Sequence, residues 1–343
     1  MNKILHLLDE EFVIAYLRRK ALPFYPQYKD IVRVKIKPYK KLIWETTYHV
    51  VIGFDVYFVS LSGEQEIIPL VCSAHSTEMR DNVYRALQYL WMKKFNNSQI
   101  FLPRPLFFSH GFNGTFYEAI TGESLLYYIK EKNIPEIEKI VVLAAQLFAK
   151  LHSLDANDDA NFNPSNGEIK TVLPGVNNIF KEMDLLYGGK YTEDLKEIYG
   201  KLISAEESFF TKKIKLSLIH GDAHPENIIR TGEDSIGLID FTDLCLGDFA
   251  RDLGTFMQQL EHKIMIKIGD QEISDNIANL FLSSYCRFAK IDDNQDLRFR
   301  IKLYYEWTAM RTATYLFLKY DANEEQAKIL LQVVKNNLKL WKN

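Results

Sequence analysis

Three side chains between Leu218 and Asp252 have types and spacings that polar chemistry uses: the carboxylates Asp222 and Asp240 and the amide Asn227. The apolar run Ile214 to Ile219 ends at His220-Gly221-Asp222. That glycine, with Pro225, predicts that the chain leaves a strand there instead of entering a helix. Asp222 is therefore expected on a loop. Asn227 to Arg230 and Ile236 to Ile239 flank Thr231-Gly232-Glu233-Asp234-Ser235, a turn-rich cluster that predicts a hairpin. With Arg230 facing Ile236, antiparallel pairing brings Asn227 within about one residue of Asp240. An amide oxygen and a carboxylate then share one end of a hairpin, with a second carboxylate on the loop before it. This is the layout of a magnesium site beside a catalytic base.

The order H-G-D-x-x-x-x-N, then I-D-F, then Gly247-Asp248-Phe249-Ala250-Arg251-Asp252-Leu253 resembles the catalytic and metal-binding motifs of the aminoglycoside phosphotransferase and choline kinase superfamily. That family has a protein-kinase-like fold, and phenylalanine stands here where it commonly has proline. The resemblance implies an α+β, two-lobed architecture with a small antiparallel-sheet N-lobe and a larger, mainly helical C-lobe. It implies a magnesium-dependent transfer of the terminal phosphoryl group of ATP or GTP to a hydroxyl of an aminoglycoside-, choline- or sugar-like molecule. Asp222 becomes the base that accepts or orients the hydroxyl proton, with Asn227 beside it, and Asn227 and Asp240 become the magnesium ligands. His220 is expected to orient the loop by hydrogen bonding. Asp248 and Asp252, after a glycine and at a helix start, are expected to support by bonding backbone amides or favouring the helix dipole.

The elements that must position these groups are readable in order. Ile4, Leu8, Phe12 and Tyr16 recur at helical spacing and predict a helix over residues 3 to 19. From Ile31 the period becomes two, and strands follow over Ile31 to Lys37, Tyr48 to Val59 and Glu66 to Val71. By the resemblance this sheet covers the nucleotide, but it departs from the family in two places. The first hairpin connection, Pro38-Tyr39-Lys40-Lys41, has no glycine, so Lys40 and Lys41 are the expected phosphate contacts. Ser73 stands where the family's strand lysine is expected, and the helix Met79 to Lys94 has Val83 or Tyr84 where the partner glutamate falls. Three explanations stay open: a shifted alignment, a charge supplied by Lys40, Lys41 or Arg80, or a degenerate nucleotide site.

A strand over Thr115 to Ile120 resembles the family's hinge, which makes the backbone of Glu118, Ala119 and Ile120 the expected adenine contact. Residues 1–120 are then a nucleotide-covering lobe, and residues 121–343 a helical lobe with the catalytic loop and acceptor site. In the second lobe, helices are predicted over Pro135 to Leu154, Asn177 to Leu186, Thr192 to Phe210, Asp252 to Lys267, Ser274 to Ala289, Leu297 to Tyr320 and Glu324 to Trp341. Asp155 to Glu168 reads as a mobile loop by composition. His152, at a helix end, reads as a core or supporting residue. Tyr304, Tyr305, Glu306, Trp307 and Arg311 either line the acceptor site or fill the core.

Composition sets the frame. A chain of 343 residues with 47% apolar content buries a sizeable core and by length suggests two domains. Its 45 acidic and 42 basic residues leave a net charge of −3, which favours neither nucleic acid nor an anionic membrane as partner. Three widely spaced cysteines in no metal-ligand spacing fit a reducing, cytoplasmic compartment. The run Ile4 to Leu8 is too short for a signal peptide or membrane span. His220 and His224 have H-x-x-x-H spacing, but Gly221 and Pro225 preclude the helix that zinc binding needs there. Two alternatives remain beside the kinase: a catalytically impaired kinase-like binding or scaffold protein, and a hydrolase using paired carboxylates, in which Asn227 has no role.

Overall fold

The computed structural model describes residues 2–78, 80–211, 214–319, 321–339 and 341. In chain order the elements are α1 (Glu10–Lys20), β1 (Tyr28–Ile43), β2 (Tyr48–Ser60), β3 (Gln65–His75), α2 (Asp81–Met92), β4 (Ile100–Phe101), β5 (Arg104–Ser109), β6 (Gly114–Glu118) and β7 (Glu123–Ser124). Then come α3 (Leu125–Lys130), α4 (Ile134–His152), α5 (Val176–Tyr187), α6 (Thr192–Phe210), β8 (Ser217–Ile219), β9 (Ile228–Gly232), β10 (Ser235–Leu238) and β11 (Cys245–Gly247). The chain closes with α7 (Ala250–Lys267), α8 (Gln271–Ala289), α9 (Gln295–Leu318) and α10 (Glu324–Lys339). The expected helix ends at Met79 and Tyr320 lie outside the described residues.

The chain divides into two compact units, one of residues 1–123 with 229–242 and one of 124–228 with 243–343. In the first, a five-stranded antiparallel sheet runs β1-β2-β3-β6-β5, and β4, β10, β9 and β7 form a second sheet in that order. Strand β2 buries Val50, Ile52, Phe54, Val56 and Phe58, the alternation of a strand with one covered face. Tyr16 of α1 packs edge-on against Phe107 and Phe112 on that face. Two sequence expectations change here. The helix expected over residues 3–19 is divided: Asp9 ends a 3-10 turn and its carboxylate caps α1 by accepting the Phe12 N–H at 2.7 Å. The first hairpin turn is not Pro38 to Lys41. Strand β1 continues to Ile43, Lys40 and Lys41 pair with Val51 and Val50, and Trp44 N–H bonds Thr47 C=O across the turn. Pro38 is tolerated because β1 is an edge strand and the register shifts beside it.

In the second unit α4 buries Ile137, Ile140, Val141, Ala144, Leu147 and Leu151 along one face. Phe148 of that helix meets Phe256 of α7 and Phe281 of α8, at ring-centroid distances of 5.5 and 6.2 Å. Helices α7 and α9 approach closely because Gly254 has no side chain: a Cβ there would lie 2.5 Å from the Ile301 carbonyl oxygen. Thr255 and Thr308 hydrogen-bond across the same contact at 3.0 Å. The loop expected to be mobile over Asp155 to Glu168 is instead tethered. It forms 3-10 turns at Asp158–Ala160 and Pro164–Asn166, and its Asn166 takes the buried Arg251 through both backbone carbonyl and side-chain amide oxygen. The three cysteines are buried and unbonded. No helix among the described residues is long and apolar enough to cross a membrane.

Glu206 of α6 gives the second unit a pH dependence. It is 1% exposed, and burial pushes its carboxyl up to about 7 although it accepts the Ile169 N–H at 2.7 Å. Glu306 is also held up to about 7 by burial. A raised carboxyl binds its proton more tightly folded than unfolded, so stability falls as pH rises from about 4.5 to about 7 and is flat above. Glu206 alone contributes a decline on the order of 3 kcal/mol over that window. Urea unfolding at pH 5 and pH 8 should show Glu206→Gln losing much of the difference seen in the parent; an unchanged difference rejects the assignment.

Candidate active site

The loop that carries Asp222 is held by buried hydrogen bonds. Between β8 and β9, Gly221 takes a left-handed φ of +80°, and a Cβ there would lie 2.4 Å from the Asp243 carbonyl oxygen. Its N–H donates to Asp252 Oδ1 at 2.9 Å, and the N–H of His220 donates to Asp252 Oδ2 at 2.7 Å. Asp252 is fully buried in the first turn of α7 and also accepts His152 Nε2 at 3.0 Å. The second ring nitrogen of His152 bonds the Tyr285 hydroxyl at 2.8 Å. Burial pushes the Asp252 carboxyl up, but the His152 bond, the fields of His152 and His220, and the Gly221 N–H outweigh it and hold the group below the usual carboxylate range. The supporting role expected of Asp252 is thus bonding to the loop's own amides. Asp248 acts differently: it accepts the Ala250 N–H at 3.0 Å and pairs with Arg300 at 2.5 Å.

On that loop Asp222 has its side chain 46% exposed, with His224 Nε2 3.5 Å away. Protein crowding pushes its carboxyl up, and the hydrogen bond and charge of His224, with the charges of His220 and Arg311, more than reverse this and bring it down to about 2. Asp222 is therefore ionised at neutral pH and offers an acceptor oxygen. Asn227 is buried, and its Nδ2 donates to the Asp222 carbonyl at 2.9 Å. That bond fixes which end of the amide is free: Oδ1, a hard oxygen suited to magnesium. Asp222 and His224 line a cavity of about 740 Å³ together with residues of α7 and α9, among them Trp307 and Arg311.

The five residues of α9 divide. Trp307 and Arg311 line the cavity, Tyr304 is core, Glu306 is buried against Asn337, and the Tyr305 hydroxyl bonds Glu261. His220 is fully buried.

The first unit carries the remaining expected residues. Asp240 follows β10 with a left-handed φ of +62°, and its exposed carboxylate accepts the Thr242 hydroxyl at 2.7 Å. One Asp240 oxygen is thus positioned by the protein, and an exposed carboxylate is a fitting donor for a hard cation. Ser73 sits mid-strand, paired with Val51 and Thr115. Arg80 is a buried cation of the same unit that donates to Thr242 Oγ1 at 2.9 Å and pairs with Glu78 at 3.1 Å. Lys40 lies in the same field: burial and the Arg80 charge lower its ammonium, and Asp240 opposes them. Burial, with the charges of Lys40, Arg80 and His75, holds the His49 ring down to about 4. Lys41 is exposed on β1, paired with Val50.

At the expected hinge, Glu118 pairs with Leu70, and its carboxylate accepts the Tyr25 hydroxyl at 2.8 Å. Ala119 N–H is already bonded to Pro69 C=O at 2.8 Å, so a nucleobase edge is left the other backbone groups of this segment. Ile120 packs where a Gly237 side chain would stand. Sequence reasoning named Arg80 only as one option and gave His152 no partner. The signal for both lies in contacts distant in sequence, Arg80 with Thr242 and His152 with Asp252.

A spectinomycin phosphotransferase solved with ADP and spectinomycin superposes with a TM-score of 0.56 at 13% identity, covering 97% of this chain and 98% of that one. A Plasmodium vivax ethanolamine kinase gives 0.52 at 18% identity, over 89% and 82%. The apo form of a thermostable aminoglycoside phosphotransferase mutant gives 0.52 at 13%, over 90% and 95%. At such identities these likenesses show the fold alone, and it is the two-lobed, kinase-like α+β fold expected from the sequence. No curated protein matches the chain. The model of the phosphotransferase enzyme family matches residues 52–289, a span that holds the sheet strand with Ser73, Arg80, the loop of Asp222 and Asn227, the hairpin leading to Asp240, and Asp252 beneath the loop. The chain therefore belongs to the phosphotransferase enzyme family and is a small-molecule kinase.

Proposed function

We propose that this kinase moves the terminal phosphoryl group of ATP or GTP to a hydroxyl of a small molecule with the help of magnesium. The observation that carries this reading is Asp222: an ionised carboxylate on a loop pinned by Asp252, opening into a cavity large enough for a small acceptor. In this reading Asp222 accepts the hydrogen bond of the acceptor hydroxyl and holds its oxygen toward the phosphorus. Asn227 Oδ1 and the Asp240 carboxylate would hold a magnesium ion, whose chemistry there would be to offset the charge of the nucleotide phosphates. Arg80 orients Asp240 through Thr242 and, with Lys40, supplies the positive field that Ser73 does not. Backbone groups of residues 118–120 take the base.

The test is a thermal shift of the full chain with ATP or GTP, each with and without magnesium chloride. Ligand at about a hundred times its dissociation constant stabilises by about 2.7 kcal/mol, several degrees in a chain of this size. The shift should need magnesium, and Arg80→Met should raise the nucleotide KM about ten- to a hundredfold, the worth of a lost charged hydrogen bond. A parent chain that no nucleotide stabilises would favour the scaffold reading that Ser73 suggests. A full shift without magnesium would remove Asn227 and Asp240 from the metal.

A further inference from the structure

The cavity over the loop of Asp222 carries one cation that no carboxylate among the described residues pairs. Among the described residues lining it, Asp222 is the one carboxylate, against Lys263, Arg311 and Lys319. Two of these cations are matched locally: Lys263 pairs with Glu226 at 3.0 Å and Lys319 with Asp321 at 3.4 Å. Arg311 has no carboxylate in ion-pair contact among the described residues. Its guanidinium lies over the Trp307 ring, 5.1 Å from the centroid, and the buried Arg251 lies 4.5 Å from the same centroid. Asn166 holds Arg251, so Trp307 is a fixed support and Arg311 a placed charge. Thr255, Gln259 and Thr312 add hydroxyl and amide groups suited to a polyol. An ammonium-bearing acceptor would find Asp222 as the one carboxylate of the lining, with the unmatched Arg311 charge in the same cavity.

We propose that the cavity takes an acceptor bearing an anionic group, carboxylate or phosphate, beside its reacting hydroxyl, with Arg311 holding the anion in bidentate contact and Asp222 facing the hydroxyl. This rests on the phosphotransferase reading of the same site. The acceptor oxygen forms the new P–O bond as the bond from the terminal phosphorus to its bridging oxygen breaks. The nucleoside diphosphate leaves with that electron pair, and the hydroxyl proton passes to Asp222. Arg311 selects the acceptor and takes no part in the transfer.

Galactosamine, galactose and galacturonate have one skeleton and carry positive, no and negative charge; galactose 6-phosphate adds a phosphate arm. Titrated calorimetrically into the full chain at low salt, the anionic sugars should bind at least about tenfold tighter than galactosamine, with galactose between them. Whichever anion binds tighter names the preferred group. Raising sodium chloride from about 20 mM to about 500 mM should weaken the anions and leave galactose unchanged, a readout that needs no variant. Arg311→Gln, checked for an unchanged circular-dichroism spectrum, should bring the sugars within about twofold of one another. Galactosamine binding as well as the anions, no binding of either anion, or a preference untouched in R311Q overturns the proposal. ADP release from ATP separates the two layers. Transfer confined to ammonium acceptors rejects the anionic site and keeps the kinase. A charge preference without any ATP turnover keeps the site and rejects the phosphotransferase reading.

Discussion

Replacing Asp222 with asparagine is expected to lower phosphoryl-transfer turnover by about a hundred- to ten-thousand-fold while leaving the nucleotide KM and the melting temperature close to the parent values. The reason lies in what the carboxylate touches. It is nearly half exposed, with His224 Nε2 3.5 Å away. Asparagine keeps the shape and the hydrogen bond that Asn227 makes to the Asp222 main chain, and removes the ionised acceptor. The loss should therefore fall on kcat. Coupled assays of ADP release at saturating nucleotide and acceptor decide the matter: a variant that turns over as fast as the parent removes Asp222 from the chemistry, and a loss confined to KM makes it a binding group.

The parts of this site that were legible in the sequence are those fixed by local chemistry. Gly221 and Pro225 argue against a continuous α-helix, so the loop carrying Asp222 was visible, though not its short 3-10 turn at Pro225–Asn227, and the turn-rich Thr231 to Ser235 announced the hairpin of β9 and β10. The apolar face of α4 and the bounds of α6 could be read from periodicity alone. What escaped was settled by contacts distant in the chain. Pro38 looks like a turn residue, yet on an edge strand its missing N–H breaks no ladder bond, so β1 runs through it. The polar composition of residues 155–168 suggested a mobile loop, but Asn166 has a partner in Arg251, 85 residues away. Helix α9 is buried on several sides, so its aromatic residues show no single apolar face that would separate core Tyr304 from cavity-lining Trp307. Ser73 leaves the position of the expected lysine without a charge, and the contact of Arg80 with Thr242, 162 residues away, was not legible in the sequence.

Asp252→Ala should be the more damaging change to the fold, since Asp252 is fully buried. The buried carboxylate accepts three donors, the N–H groups of His220 and Gly221 and Nε2 of His152, and alanine leaves all three without it in a space that water does not reach. Breaking a buried charged network from one side costs about 3–5 kcal/mol, against a total stability of roughly 5–15 kcal/mol for an ordinary domain. The urea midpoint should fall accordingly, and turnover should fall with it, because the loop that presents Asp222 is held by those two amide bonds. Asp252→Asn separates the two effects. Its amide oxygen can still accept one backbone N–H, but its NH₂ group faces donors where the carboxylate faced none, so stability should lie between alanine and the parent. If Asp252 acts only through the loop, turnover in both variants should track the folded, loop-ordered population, seen as amide exchange at His220 and Gly221. Full protection of those amides in Asp252→Ala would refute the pinning of the loop by this carboxylate.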